Sequence, residues 1–382
     1  MTETPFQILI PDQDLVRLRA KLELTTLLNE VEGAGCDYGA PISDIRRLVD
    51  KWKNGYDWRK HEAALNAELP QYTRDISRVD GFGSLNIHYV HKKSDCSGAI
   101  PLLFPGSFIE HPSFRVATFN VPGFGFSEPV LKPGFRKPQY AELGNKLMVS
   151  LGYNEYVTQG GNWGQITRQI GEMYGPKHAK AWHTNFPMFK SELERIHWFT
   201  EKGSGYSAEQ RMPSNFGIFS HGQSSRPSWI YGKLHVWTDS CPWTDDEGVS
   251  IDYFSRSGSV ASLCIYYEVA DVGMAPAFCK RFCTIPKGAS YIPKELAPVL
   301  PSWVRRENNV VFESMRESGG HFAAHEKPAE LVGDLRRMFG KTGLHSVSFQ
   351  EGRVNERTNN QCINELENIP EMGTSSRYLR QV

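Results

Sequence analysis

Apolar and polar positions alternate with two different periods along this chain, and the changes of period mark out its organisation. Over 12–28 apolar residues recur at helical spacing, with Leu15, Leu18 and Leu22 on one face. Ser43 is placed to cap a second helix, with Ile45, Leu48, Val49 and Trp52 apolar and Arg46 and Arg47 exposed. Residues 58–69 read as a third helix. Over 84–90 the period drops to two, the pattern of a strand. Residues 100–104 and 115–119 are short continuous apolar runs, as in strands buried on both faces. Residues 156–158 end another strand, 179–184 give one more, and 310–312 a late one; 326–339 is an amphipathic terminal helix. Strands alternating with helices predict an α/β fold with a mostly parallel sheet.

From about 189 to 282 the pattern changes. Trp, Tyr, Ser and Gly become frequent, with helical stretches around Trp229, Ile230 and Tyr231 and over 262–268. A helical cap inserted into the α/β core is expected there. The expected divisions are an N-terminal helical meander with the first strand (1–98), the first half of the core (99–188), the cap (189–282), the second half of the core (283–340) and a polar, disordered tail (341–382). Internal repeats are absent.

The 382 residues suffice for a sizeable core. Lys+Arg and Asp+Glu both number 43, so the net charge is zero, which argues against nucleic acid or an anionic membrane surface as partner. The N-terminus has no basic region followed by an apolar run, and no uncharged stretch reaches membrane-spanning length. Seven cysteines are scattered. Cys279 and Cys283 sit four apart with no second pair to complete a metal site, so reduced thiols and a cytoplasmic location are expected, with no metal and no cofactor.

The chemistry concentrates in Gly160-Gly161-Asn162-Trp163-Gly164, between the apolar residues Tyr156, Val157 and Thr158 and a helix-like continuation. Small residues two before and two after a central polar residue form a nucleophile elbow. Ser, Cys or Asp should stand at its centre; Asn162 is a neutral carboxamide and a poor nucleophile. In the order such folds use, an acid and then a histidine follow. His321, after Gly319 and Gly320, is the candidate base. Glu295 is the candidate acid, in competition on sequence alone with Glu307, Glu313 and Glu317.

These segments together resemble a known family. Asp57-Trp58-Arg59, Asn86-Ile87-His88, Pro122-Gly123-Phe124-Gly125-Phe126-Ser127, the elbow, Tyr266-x-Glu268 and Gly319-Gly320-His321-Phe322-Ala323-Ala324 resemble the microsomal-type epoxide hydrolases, in their fungal soluble branch, over roughly residues 5–340. The resemblance implies an α/β-hydrolase fold with a helical cap and an N-terminal helical meander. In that family a carboxylate at the position of Asn162 attacks a ring carbon of the epoxide and forms an ester. Two tyrosines, matched by Tyr206 and Tyr266, hydrogen-bond the epoxide oxygen. The histidine, matched by His321 and oriented by the acid at Glu295, activates water against the ester, and the Trp163 N–H is one oxyanion donor. The implied partners are a small apolar epoxide and, at most, a second copy of the chain as a homodimer.

The chain departs from the family pattern in five places. Asn162 replaces Asp. The H-G-W-P-G-S loop is reduced to Leu102-Leu103-Phe104-Pro105-Gly106-Ser107. The helix expected after Ser107 is missing, which should uncover one face of the sheet. The cap is shortened between Met212 and Trp229, and the tail has no counterpart. Skipped or retained coding segments would produce such gaps and such a tail, whereas Asn162 is a single in-frame change inside an intact motif. Three functions stay open: an impaired epoxide hydrolase, an epoxide-opening cyclase or isomerase that needs no covalent step, and a pseudoenzyme that binds an apolar ligand or a partner.

Overall fold

The computed structural model describes residues 3–27, 32–33, 40–96, 98–104, 114–188, 225–240, 243–254, 265, 267–268, 282–296 and 298–340. The described strands are β1 (Thr4–Pro5), β2 (Gln71–Val79), β3 (Gly83–Lys92), β4 (Ile100–Leu103), β5 (Phe114–Phe119), β6 (Tyr156–Gln159), β7 (Ala179–Thr184), β8 (Cys283–Tyr291) and β9 (Asn308–Met315). They form one nine-stranded sheet in the order β1-β2-β3-β5-β4-β6-β7-β8-β9. The pairings β1/β2, β2/β3 and β3/β5 are antiparallel. From β5 onward every pairing is parallel. The sheet is therefore parallel where the expected chemistry lies and antiparallel at the N-terminal edge.

Side chains alternate between the two faces, as a period of two requires. Leu103, Ala117, Phe119 and Tyr156 pack with Leu143 and Leu147 of α4 (Lys137–Ser150) and with Ile166 and Ile170 of α5 (Ile166–Tyr174). Leu102, Val116, Val157 and Ala181 point the other way. They share a buried cluster with Leu331, Leu335, Met338 and Phe339 of the C-terminal helix Pro328–Phe339. The face expected to be uncovered is not bare at β4 and β5: Leu102 and Val116 are completely buried. The truncated loop itself, 105–113, lies outside the described residues.

The N-terminal region shows α1 (Asp12–Glu23), α2 (Ile42–Asn54) and α3 (Trp58–Glu68). The first ends earlier than its apolar spacing predicted. The second begins at Ile42 after Pro41, so Ser43 lies inside the first turn and is not its cap. Asp57 caps the third, accepting the Lys60 N–H at 3.2 Å. Trp58 Nε1 donates to Glu62 Oε1, which also accepts the Ile10 N–H, so these residues tie the meander together. The terminal helix is two pieces, Ala323–Glu326 and Pro328–Phe339, because Pro328 cannot continue the hydrogen-bond ladder of the first. Helix α6 (Ser225–Val236) falls where a helical piece was expected around Trp229–Tyr231, and α7 (Asp245–Phe254) follows it. The tail 341–382 lies outside the described residues.

Candidate active site

The elbow forms where β6 ends. Asn162 opens a short 3₁₀ turn, Asn162–Gln165, that runs into α5. Its φ is 47°, in the left-handed region that most side chains avoid. Asn and Asp enter that region more readily than most residues, so exchanging one for the other preserves the backbone of the turn. The flanking glycines are needed for space. A Cβ at Gly160 would stand 2.1 Å from the Gly164 carbonyl oxygen, and one at Gly161 would stand 2.6 Å from the Asn185 carboxamide.

The acid and base sit at the same edge of the sheet, beyond the C-terminal ends of β8 and β9. Nδ1 of His321 and Oε1 of Glu295 are 2.5 Å apart, and both side chains are buried. A carboxylate can only accept, so Nδ1 carries the proton and Nε2 is left as the basic nitrogen. Nε2 is buried and has no hydrogen-bond partner. The same Glu295 oxygen also accepts the Leu296 N–H at 2.7 Å, which fixes the carboxylate. Three aromatic rings stand edge-on to the imidazole: Trp237 at 5.1 Å, Phe186 at 5.2 Å and Phe322 at 5.3 Å between centroids. They make an apolar enclosure around a nitrogen left open to a guest.

Phe186 connects this pair to the elbow. Its ring lies against His321, while its carbonyl accepts Gln165 Nε2 of the elbow turn at 2.6 Å. Its N–H donates to Thr184 Oγ1, which itself donates to the Gly160 carbonyl at 2.7 Å. Its neighbour Asn185 closes on Gly161 and accepts Gln159 Nε2 at 2.9 Å. The end of β7 is thus braced against the nucleophile turn on one side and the histidine on the other. The three expected groups Asn162, Glu295 and His321 follow the ends of β6, β8 and β9, the crevice side at which open parallel sheets hold ligands.

Tyr206 and Tyr266 lie outside the described residues. The residues around Tyr266 are anchored: Ile265 is part of the main core, and Glu268 accepts the Gly134 N–H at 2.6 Å and pairs with Arg136 at 3.1 Å. Trp163 follows Asn162 directly in the turn and packs its side chain against the main core. Among the described residues no cluster of His, Cys, Asp and Glu is placed to hold a metal ion, and no helix is long and apolar enough to cross a membrane.

Comparison with known proteins agrees with this geometry. Residues 3–111 match the family model described as epoxide hydrolase N terminus. The chain is 29% identical to a candidate epoxide hydrolase of Stigmatella aurantiaca over 88% of its own length and 84% of that protein's. The epoxide hydrolase of Aspergillus niger superposes with a TM-score of 0.70 at 27% identity, covering 88% of this chain and 95% of that one. The chain is thus similar to epoxide hydrolases over most of its length. Its fold is the α/β-hydrolase fold, seen also in the juvenile hormone epoxide hydrolase of Bombyx mori, with a TM-score of 0.73 at 21% identity over 89% of this chain and 94% of that one.

Two of the sequence motifs are halves of one structure. His88 Nε2 stands 3.1 Å from Gln71 Oε1, and its Nδ1 meets Asn120 Oδ1 at 2.5 Å. Its N–H donates to Ser127 Oγ, which donates to the Asn120 carbonyl at 2.7 Å. The Asn-Ile-His segment and the Phe-Gly-Phe-Ser segment therefore knit β3 to the turn after β5. Three residues around the base escaped sequence reasoning: Trp237, Asp239 and Glu326. Glu326 was within reach as the acidic residue five places after His321; Trp237 and Asp239 carry no local signal and approach only through the tertiary fold.

Proposed function

We propose that the chain binds a small apolar epoxide beside His321 and adds water to it, giving a vicinal diol at a rate limited by Asn162. His321 serves as the base through Nε2, Glu295 holds its ring and stabilises the imidazolium, and Tyr206 and Tyr266 activate the epoxide oxygen. The Trp163 N–H is the oxyanion donor for the ester step that a carboxylate at 162 would restore. The observation that carries the reading is the buried His321–Glu295 hydrogen bond with Nε2 left unpartnered among three aromatic rings. A neutral amide at 162 cannot form the ester by which family members split the reaction into two easier steps. Asn162→Asp is therefore expected to raise hydrolysis of an aryl epoxide by several orders of magnitude, since losing one member of a covalent catalytic unit costs up to about a millionfold. No gain in that variant would sink the proposal of a limiting Asn162 and favour a binding protein.

A second reading is favoured by the same neutral side chain. A base and phenol donors suffice to close a ring within the substrate, with its own hydroxyl as nucleophile. Product analysis separates the two: a diol supports hydrolysis, and a cyclic ether or isomer of unchanged mass supports cyclisation.

A further inference from the structure

Three consecutive backbone N–H groups lead into His321, and each is accepted by a group from outside the loop. Gly319 donates to Asp239 Oδ2 at 2.9 Å, Gly320 to Glu326 Oε1 at 3.1 Å and His321 to the Trp237 carbonyl at 2.8 Å. The second oxygen of Glu326 accepts the Asp239 N–H at 2.8 Å, so one carboxylate bridges the histidine loop and segment 237–239. The second oxygen of Asp239 pairs with Lys294 Nζ at 2.8 Å, one residue before Glu295. The Lys294 N–H completes the circuit by donating to the Gly319 carbonyl at 3.2 Å. The approach is so close that a Cβ on Gly320 would lie 2.6 Å from the Trp237 oxygen and 2.9 Å from Glu326 Oε1.

We propose that Asp239 and Glu326 are positioning residues that hold the acid loop and the base loop in mutual register, and tie both to the segment after α6. The two loops also form an isolated bridge, Lys294 with Gly320. A hydrogen bond of 2.5 Å fails with a backbone shift of a fraction of its length, so the loops must be fixed from outside. Carboxylates accepting backbone N–H groups make the stronger class of hydrogen bond. Lys294 and the Gly319 N–H hold the Asp239 carboxyl below its usual range, which keeps it an acceptor at neutral pH. The segment following α6 thereby sets the ring of the base, so seating that segment and assembling the pair are one event.

The proposal rests on Glu295 and His321 acting as a pair, and its test reads their hydrogen bond without turnover. In the full-length protein labelled at the histidine rings, the Nδ1 proton of His321 should appear far downfield by NMR and vanish in His321→Ala. Glu326→Ala should speed its exchange with water by roughly tenfold or more, the scale of one charge-assisted hydrogen bond. Glu326→Gln and Asp239→Asn, isosteric and each keeping one acceptor oxygen, should fall between that variant and the parent. Tyr156→Phe, which removes a distant buried bond to Asn145, should leave the exchange unchanged and so controls for general loosening. Exchange as in the parent in both Glu326→Gln and Asp239→Asn overturns the clamp, as does the absence of any His321-dependent downfield proton in the parent. Faster exchange with His321 dispensable for turnover sinks the functional reading alone; unchanged exchange with His321 essential sinks the clamp alone.

Discussion

Glu295 and His321 share a 2.5 Å hydrogen bond in which the acid takes the inner nitrogen and leaves the outer one unpaired. In the proposed function this division of labour makes the imidazole a base for water and not a nucleophile. It follows that the two chemical steps can be separated. In an Asn162→Asp background, His321→Ala should still permit attack on the epoxide but should stop hydrolysis of the ester. Turnover should fall by about a hundred- to ten-thousandfold, the usual contribution of a positioned base. Mass spectrometry of the peptide containing residue 162 should then show the substrate's full mass added. Undiminished turnover with no adduct would remove His321 from the mechanism.

The second prediction concerns the face that the truncated loop should have left bare. Leu335 is 1% exposed and shares a cluster with Leu102, Phe114, Val116 and Val157. If the C-terminal helix covers this face, Leu335→Ala deletes a well-packed core side chain and should cost about 2–5 kcal/mol of stability by urea unfolding. A loss under about 1 kcal/mol, the level of a surface change, would show that Leu335 contributes little to that cover.

Much of this architecture was legible because local patterns and the tertiary fold agree. The strand at 179–184 was read to the residue, and all of its side chains except Lys180 are buried, as in a strand inside a parallel sheet. The elbow was legible because its glycines answer a steric demand written in five adjacent letters. Strands β2 and β8 were not read. Gln71–Val79 mixes Arg, Asp and Ser into its apolar positions because it lies near the antiparallel edge. Cys283–Tyr291 carries Pro286, Lys287 and Gly288, and Lys287 is buried with its ammonium over the Trp182 ring at 4.5 Å. Helix α4 was hidden by its buried polar residues, Lys137 and Asn145. For the site, Glu295 could not be told from Glu307, Glu313 or Glu317 by spacing. Only the fold separates them: Glu313 pairs with Arg305 and Tyr291, away from the base.

The buried knot around His88 predicts a pH dependence. Burial pushes its imidazole down to about 4 from an ordinary 6.5, despite the hydrogen bond to Asn120. A histidine held neutral when folded binds its proton more readily when unfolded. The unfolded state therefore gains protons first, and stability is lost as pH falls from about 6.5 to about 4. His183, completely buried, acts in the same direction. His88→Gln keeps hydrogen-bonding capacity towards Asn120 and Gln71 but cannot titrate. Its urea midpoint should change less steeply than the parent's between those pH values. Parallel slopes for the two proteins would mean that His88 is not depressed.

On the proposed function, Asn162 occupies the position at which a water activated by His321 would attack an acyl group. In the ester mechanism, water activated by His321 attacks the carbonyl of residue 162 and expels the diol's oxygen. Here that carbonyl belongs to an amide. The same attack would expel ammonia, consume one water and leave a carboxylate, which is the nucleophile the family uses. An amide is a far poorer acyl donor than an ester. Conversion is therefore expected to be slow and partial. The competing route, attack by the next backbone nitrogen, is hindered because Trp163 is bulky and held in the 3₁₀ turn. Aged protein should show a gain of about one dalton on the peptide containing residue 162, the amide-to-acid exchange expected beside a working base. Activity towards an aryl epoxide should rise in step with that gain. In His321→Ala both should be lost. Equal conversion in that variant would mark the change as spontaneous and leave the imidazole without a demonstrated part in it.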